Sequence, residues 1–107
     1  MSIYLCLSRR SKAFEMRVEF QIRAVPFSPG AWVLVCAMGL HNQLPSEVRT
    51  QGPFYGRHSA EAALAIIVRV LEQHGYSALP SSEAIWQLPL QREWRKVSPA
   101  STTQFGP

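Results

Sequence analysis

Two consecutive runs of this chain demand different surroundings. From Phe14 to Ala24 the alternation is strict: Phe14, Met16, Val18, Phe20, Ile22 and Ala24 against Glu15, Arg17, Glu19, Gln21 and Arg23. Successive side chains of a strand point to opposite faces, so this run reads as a strand with one dry and one wet face. Pro26-Phe27-Ser28-Pro29-Gly30 then makes a turn. The next run, Ala31 to Met38, is apolar on both faces: Trp32, Leu34, Cys36 and Met38 on one, Ala31, Val33, Val35 and Ala37 on the other. A hairpin follows from the two runs and the turn between them. One of its strands has a solvated face and its neighbour has none. Something must cover that second side: the N-terminal arm, the C-terminal segment, or a second copy of the protein.

The first side is claimed by the stretch Ser59 to Gly75. Ala60, Ala63, Leu64, Ile67, Val68 and Leu71 recur three or four apart and form one apolar helical stripe, widened by Ile66 and Val70. Glu61, Arg69, Glu72 and Gln73 fall on the wet side. Ser59 is the expected N-cap, Glu61 places a negative charge in the first turn, and Gly75 offers a left-handed stop. A helix this apolar lies on a sheet.

The remaining segments are read around that helix and hairpin. Glu47 to Tyr55 holds a third short strand with Val48 and Phe54 as its contacts, and Gly52-Pro53 makes it an edge or an irregular piece. Trp86, Leu88 and Leu90 share one face at period two, so Glu83 to Leu90 reads as a fourth strand weakened by Pro89. The competing reading is irregular chain whose Trp and Leu plug the uncovered side. The expected fold class is α+β, an antiparallel three- to four-stranded sheet with one main helix packed on one face, in β-β-β-α-β order. Residues 1–13 are expected to form an N-terminal arm or a short edge strand, residues 14–97 a single domain, and residues 98–107 a flexible tail. With 107 residues, 47% of them hydrophobic, the chain suits one domain with a real core.

Composition bounds the chemistry. The formal charge of +4 comes from 11 Lys and Arg against 7 acids, none of them Asp. Such a balance favours acidic partners but is common in small proteins. Two cysteines, Cys6 and Cys36, are too few for a disulfide-built secreted domain. The apolar run Ile3 to Leu7 is too short for a secretion signal, and Arg9-Arg10 follows it instead of preceding it. The expectation is therefore a cytoplasmic protein with reduced thiols and no membrane partner.

Catalysis finds little to build on. No G-x-S-x-G, G-x-G-x-x-G or phosphate-binding G-x-x-x-x-G-K occurs, and His41, His58 and His74 lack metal-ligand spacing. Glu15, Glu19, Glu61, Glu72 and Glu83 all fall at positions expected to be solvated. No cofactor and no metal is expected. The leading functional expectation is a small non-catalytic interaction module, a homodimer self-associating through Ala31, Val33, Val35, Ala37 and Trp86, or a module for another protein. The alternative is nucleic-acid binding through Arg9, Arg10 and Lys12 at one end and Arg92, Arg95 and Lys96 around Trp94 at the other. Third comes an anion or small-molecule site at Tyr55, Arg57 and His58, beside free N–H groups at the helix start.

Overall fold

The computed structural model describes residues 3–97, so the expected tail at 98–107 lies outside the described residues. The fold is α+β, with five antiparallel strands rather than three or four. The strands are β1 (Ile3–Arg10), β2 (Glu15–Ala24), β3 (Ala31–Leu40), β4 (Glu47–Tyr55) and β5 (Ser77–Leu79), and they lie in the order β4-β3-β2-β1-β5. Helix α1 (Arg57–Gln73) follows β4, and a second helix, α2 (Gln87–Arg95), follows a short 3-10 turn at Ser81–Glu83.

The expected hairpin is present, with Val18 opposite Met38 and Phe20 opposite Cys36. Strand β1 is no arm or edge. It pairs along its whole length with β2 and lends its other side to β5. Ile3, Leu5 and Leu7 alternate with Tyr4, Cys6 and Ser8, so β1 has the same two-faced character as β2.

Val18, Phe20 and Ile22 of β2 pack with Leu7, Leu34, Ala60 and Leu64, which places the dry face of the hairpin under α1. Helix α1 starts three residues earlier than its sequence suggests. Its N-cap is Gly56, at φ 99°, and no side chain caps it, so Ser59 lies inside the first turn. The stop is as expected: Gly75, at φ 92°, donates to Glu72 O while Tyr76 N–H donates to Leu71 O. That pair of bonds is a Schellman closure, with Leu71 and Tyr76 both packed against the core. Ile66 and Val70 do not widen the stripe; both are exposed. Ile66 is two residues beyond Leu64, about 200° around the helix, and so faces away from the sheet.

The second face is covered by the chain itself. Val33, Val35 and Ala37 form a second buried cluster with Trp86 and Leu90 of the α2 segment. The expected fourth strand at 83–90 is therefore a correction: it is a 3-10 turn and the start of a helix. Pro89 breaks a ladder but is tolerated in the first turn of a helix, where its missing N–H would have no intrahelical acceptor. The β3–β4 connection also bends in close. A Cβ on Gly39 would sit 2.8 Å from Ser46 N, so only glycine lets the loop return to bond Ser46 N–H to Met38 O.

Since α2 is the cover of a fully apolar strand face, truncating it should unfold the sheet rather than free a helix. Leu90→Ala is expected to lower stability by about 2–5 kcal/mol, seen as a lower urea midpoint in a single transition by both tryptophan fluorescence and far-UV circular dichroism. Separate transitions would show that α2 is a detachable element.

Candidate functional site

Two places in the fold concentrate unusual side chains. The first is buried and charged. Arg17 and Glu19, on the second face of β2, are 1% and 0% exposed. Alternation alone places them on a wet face; α2 and its lead-in cover that face. Arg17 Nε donates to Glu19 Oε2 at 2.7 Å. Ile85 N–H donates to Oε2 at 3.0 Å and Trp86 N–H to Oε1 at 3.1 Å. The Tyr4 hydroxyl also donates to Oε1, and Arg17 Nη2 donates to the Glu83 carbonyl. His41 Nδ1 lies 3.4 Å from Arg17 Nη1 and 4.0 Å from Glu15 Oε2 at the outer margin of the cluster.

Electrostatically this cluster is settled. Burial alone would raise the Glu19 carboxyl, but hydrogen bonds from Arg17, Tyr4 and the Ile85 and Trp86 amides hold it below its usual range. Burial, and then the Glu19 carboxylate, push the Tyr4 phenol far up. Cys6 is pushed up to about 11, chiefly by burial and next by Glu19. Cys36, on the α1 side of the sheet, is pushed up to about 12 by burial first. Both thiols are free and protonated near neutrality, the opposite of an activated nucleophile.

The second place is an apolar cavity of about 380 Å³ where the second-face core runs out beyond α2. Its floor is Ala31 and Val33 of β3 with Thr50 and Tyr55 of β4, and Val97 closes one side. Thr50 Oγ1 is buried and has no hydrogen-bond partner among the described residues. Phe27, in the β2–β3 turn at the cavity wall, has φ 59° and is 93% exposed as a residue. It occupies the third position of a turn closed by Ser28 N–H on Val25 O, a place that favours glycine or asparagine.

The residues singled out from sequence are distributed as follows. Ala31, Val33, Val35, Ala37 and Trp86 are all buried within this one chain. Arg57 Nε pairs with Glu61 at 3.0 Å, and its guanidinium lies 6.0 Å from the Trp32 ring. Tyr55 lines the apolar cavity, whereas Arg57 opens α1. Arg9 donates to the His74 carbonyl and lies over Tyr76; Arg10 pairs with Glu15. At the far end of β2, Trp94 Nε1–H bonds Ala24 O, and the Arg23 guanidinium sits 3.6 Å over its ring. Arg92 and Arg95 are exposed near it, and Lys96 pairs with Glu93. The two basic ends are thus separated by the length of β2, roughly 30 Å. Among the described residues no group of three or more His, Cys, Asp or Glu side chains is placed to hold a metal ion, and no helix is long and apolar enough to cross a membrane.

A family model described as PA4575-like protein matches residues 1–106. The chain belongs to the PA4575-like family. No curated protein and no solved structure matches it. The family description names no reaction, ligand or partner.

Three functional candidates escaped the sequence reading: the Arg17–Glu19 pair, Phe27 and Thr50. For the first, a signal existed. Glu19 is directly opposite Ala37 and Gln21 opposite Val35, and opposed residues share a face. A cover for β3 therefore had to cover Glu19 as well.

Glu19→Gln leaves the Arg17 charge buried without its counter-ion and should cost about 3–5 kcal/mol in urea unfolding. Because the folded carboxyl is held low, its contribution is complete above the unfolded carboxylate value of about 4.3 and fades as pH falls through the folded value. The parent protein should accordingly lose stability on acidification more steeply than Glu19→Gln does. Phe27→Asn, by contrast, should raise stability by about 1 kcal/mol, since asparagine tolerates the left-handed region better; thermal unfolding of the pair of proteins measures it.

Proposed function

We propose that this protein is a small non-catalytic interaction module that self-associates through the open basin formed by the β3–β4 loop and the start of α2. The observation that carries the reading is an apolar surface that stays exposed among the described residues. Leu44 is 82% exposed, Leu88 66% and Ile85 44%, and all three line one basin with Pro89 and the edge of Trp86. A contiguous group of large exposed aliphatics is the usual mark of a contact site. Trp86 is anchored there by its Nε1–H on Gln43 O at 2.9 Å, which holds loop and helix together as one surface.

The contact thereby moves from the β3 face to the basin. The side chains of Val33, Val35 and Ala37 are already packed under α2, so a partner reaching them would have to displace that helix. The non-catalytic part of the reading is supported by the state of the titratable groups. The Glu19 carboxylate is fully engaged with four donors, and both thiols are held protonated.

Light scattering after size exclusion tests the proposal. The expected result is a dimer mass that is insensitive to salt, converted to monomer by Leu44→Ser together with Leu88→Ser with little change in thermal midpoint. A monomer at every concentration up to about 100 µM, weaker than the micromolar affinities of modest interfaces, would reject self-association. A dimer that survives both substitutions would place the contact elsewhere.

A further inference from the structure

We infer that the cavity beside β4 is a binding site for a neutral, largely apolar small molecule carrying one hydrogen-bonding group. Its volume, about 380 Å³, falls in the range of small-molecule pockets, which combine apolar walls with a few polar groups that fix orientation. The walls are made by Val25, Ala31, Val33 and Val97, with Phe27 and Tyr55 supplying aromatic surface. Among the described residues no charged side chain lines it. An anion or a cation entering this space would lose its hydration without gaining a counter-charge, which excludes phosphates, carboxylates and amines.

The polar group is Thr50. Its Oγ1 is shut away from solvent without a partner among the described residues, although the residue itself lines the cavity. A hydroxyl in that state is expensive to the fold. Rotation about χ1 exchanges Oγ1 with the methyl group, since both branch from Cβ. A ligand that brings a hydroxyl or carbonyl to Thr50 gives Oγ1 the bond it lacks, and that bond selects among apolar ligands of equal size.

Phe27 is an independent sign of the same use. An aromatic residue in the left-handed region is disfavoured, and the result here is a phenylalanine 93% exposed at the wall of an apolar cavity. Backbone strain retained at a surface aromatic is the pattern found at ligand clamps. A bound molecule would cover that ring and give it an apolar neighbour.

The test compares p-cresol, toluene and p-toluate on the full chain by amide chemical-shift titration. The expected result is saturable binding of p-cresol, with the shifts centred on Ala31, Thr50, Gly52 and Tyr55. Toluene should bind about three- to tenfold more weakly, the value of one hydrogen bond, and p-toluate should not bind. Thr50→Val should bring p-cresol and toluene to equal affinity, and Val97→Trp should block both without unfolding the protein. Phe27→Asn should weaken both alike while the fold is retained. Unsaturable shifts scattered over the surface, or a p-cresol preference that survives Thr50→Val, would overturn the inference. Binding that appears only after residues 98–107 are removed would overturn it in favour of the chain's own C-terminal segment as occupant. None of these outcomes depends on the dimer, because the cavity and the Leu44–Leu88 basin share no residue.

Discussion

The carboxylate of Glu19 is the constraint on which the second layer of this protein depends. Its two oxygens accept from Tyr4 on β1, Arg17 on β2, and the Ile85 and Trp86 amides that lead into α2. Three segments distant in sequence therefore meet at one side chain. An isolated buried ion pair is often replaceable by apolar groups at little cost. This one is not equivalent, because removing the carboxylate also strands two backbone N–H groups and a phenol. The pair fixes where the chain enters α2, and through Trp86 it fixes where α2 lies on β3.

That dependence explains why a strand with polar residues at every second position is buried on both faces. Under α1 the alternation is ordinary: Val18, Phe20 and Ile22 face the helix. Under α2 the opposing residues of β3 are Val33, Val35 and Ala37, and β2 offers Arg17, Glu19, Gln21 and Arg23 beside them. The polar half of that face is reconciled with burial by internal pairing at one end and by the Arg23–Trp94 stack at the other. The α2 segment thus carries two kinds of group, apolar Trp86 and Leu90 over β3, and backbone donors plus Trp94 over β2.

Much of this architecture was legible in the residues, and the failures have physical causes. Period-two alternation placed β2 and both faces of β3, and a 3.6-residue period with Gly75 placed the body and end of α1. Those signals are local. The start of α1 was missed because Gly56 caps it by backbone conformation, which leaves no side-chain signature, while Ser59 offered a false one. The segment 83–90 was misread because Trp86, Leu88 and Leu90 fit period two, whereas only Trp86 and Leu90, four apart, are buried. In a helix of nine residues too few turns exist for the longer period to declare itself. The pairing of β1 with β5 joins residues some seventy apart in sequence, and nothing local encodes it. The candidate sites were less legible still. Thr50 becomes notable only when its hydroxyl is found without a partner among the described residues, and Phe27 only when its φ is known.

With both faces of the sheet covered, what a partner can meet is restricted to edges and ends. The edges are poor templates. β5 has only three residues, while β4 carries the paired Glu47 and Arg49 and, in Pro53, a residue with no N–H to offer. The ends differ. At one, the β3–β4 loop and the start of α2 leave Leu44, Ile85 and Leu88 outward; at the other, the β2–β3 turn and Val97 leave a cavity below Phe27. Both are boundaries of the same helix, which is long enough to cover the middle of β3 and too short to cover its ends. At about 1.5 Å per residue, nine residues reach roughly 14 Å, whereas the ten residues of β3 extend roughly 33 Å. The apolar surface left open on the α2 side of the sheet is therefore a consequence of that mismatch in length, and it falls at the two places where α2 begins and ends.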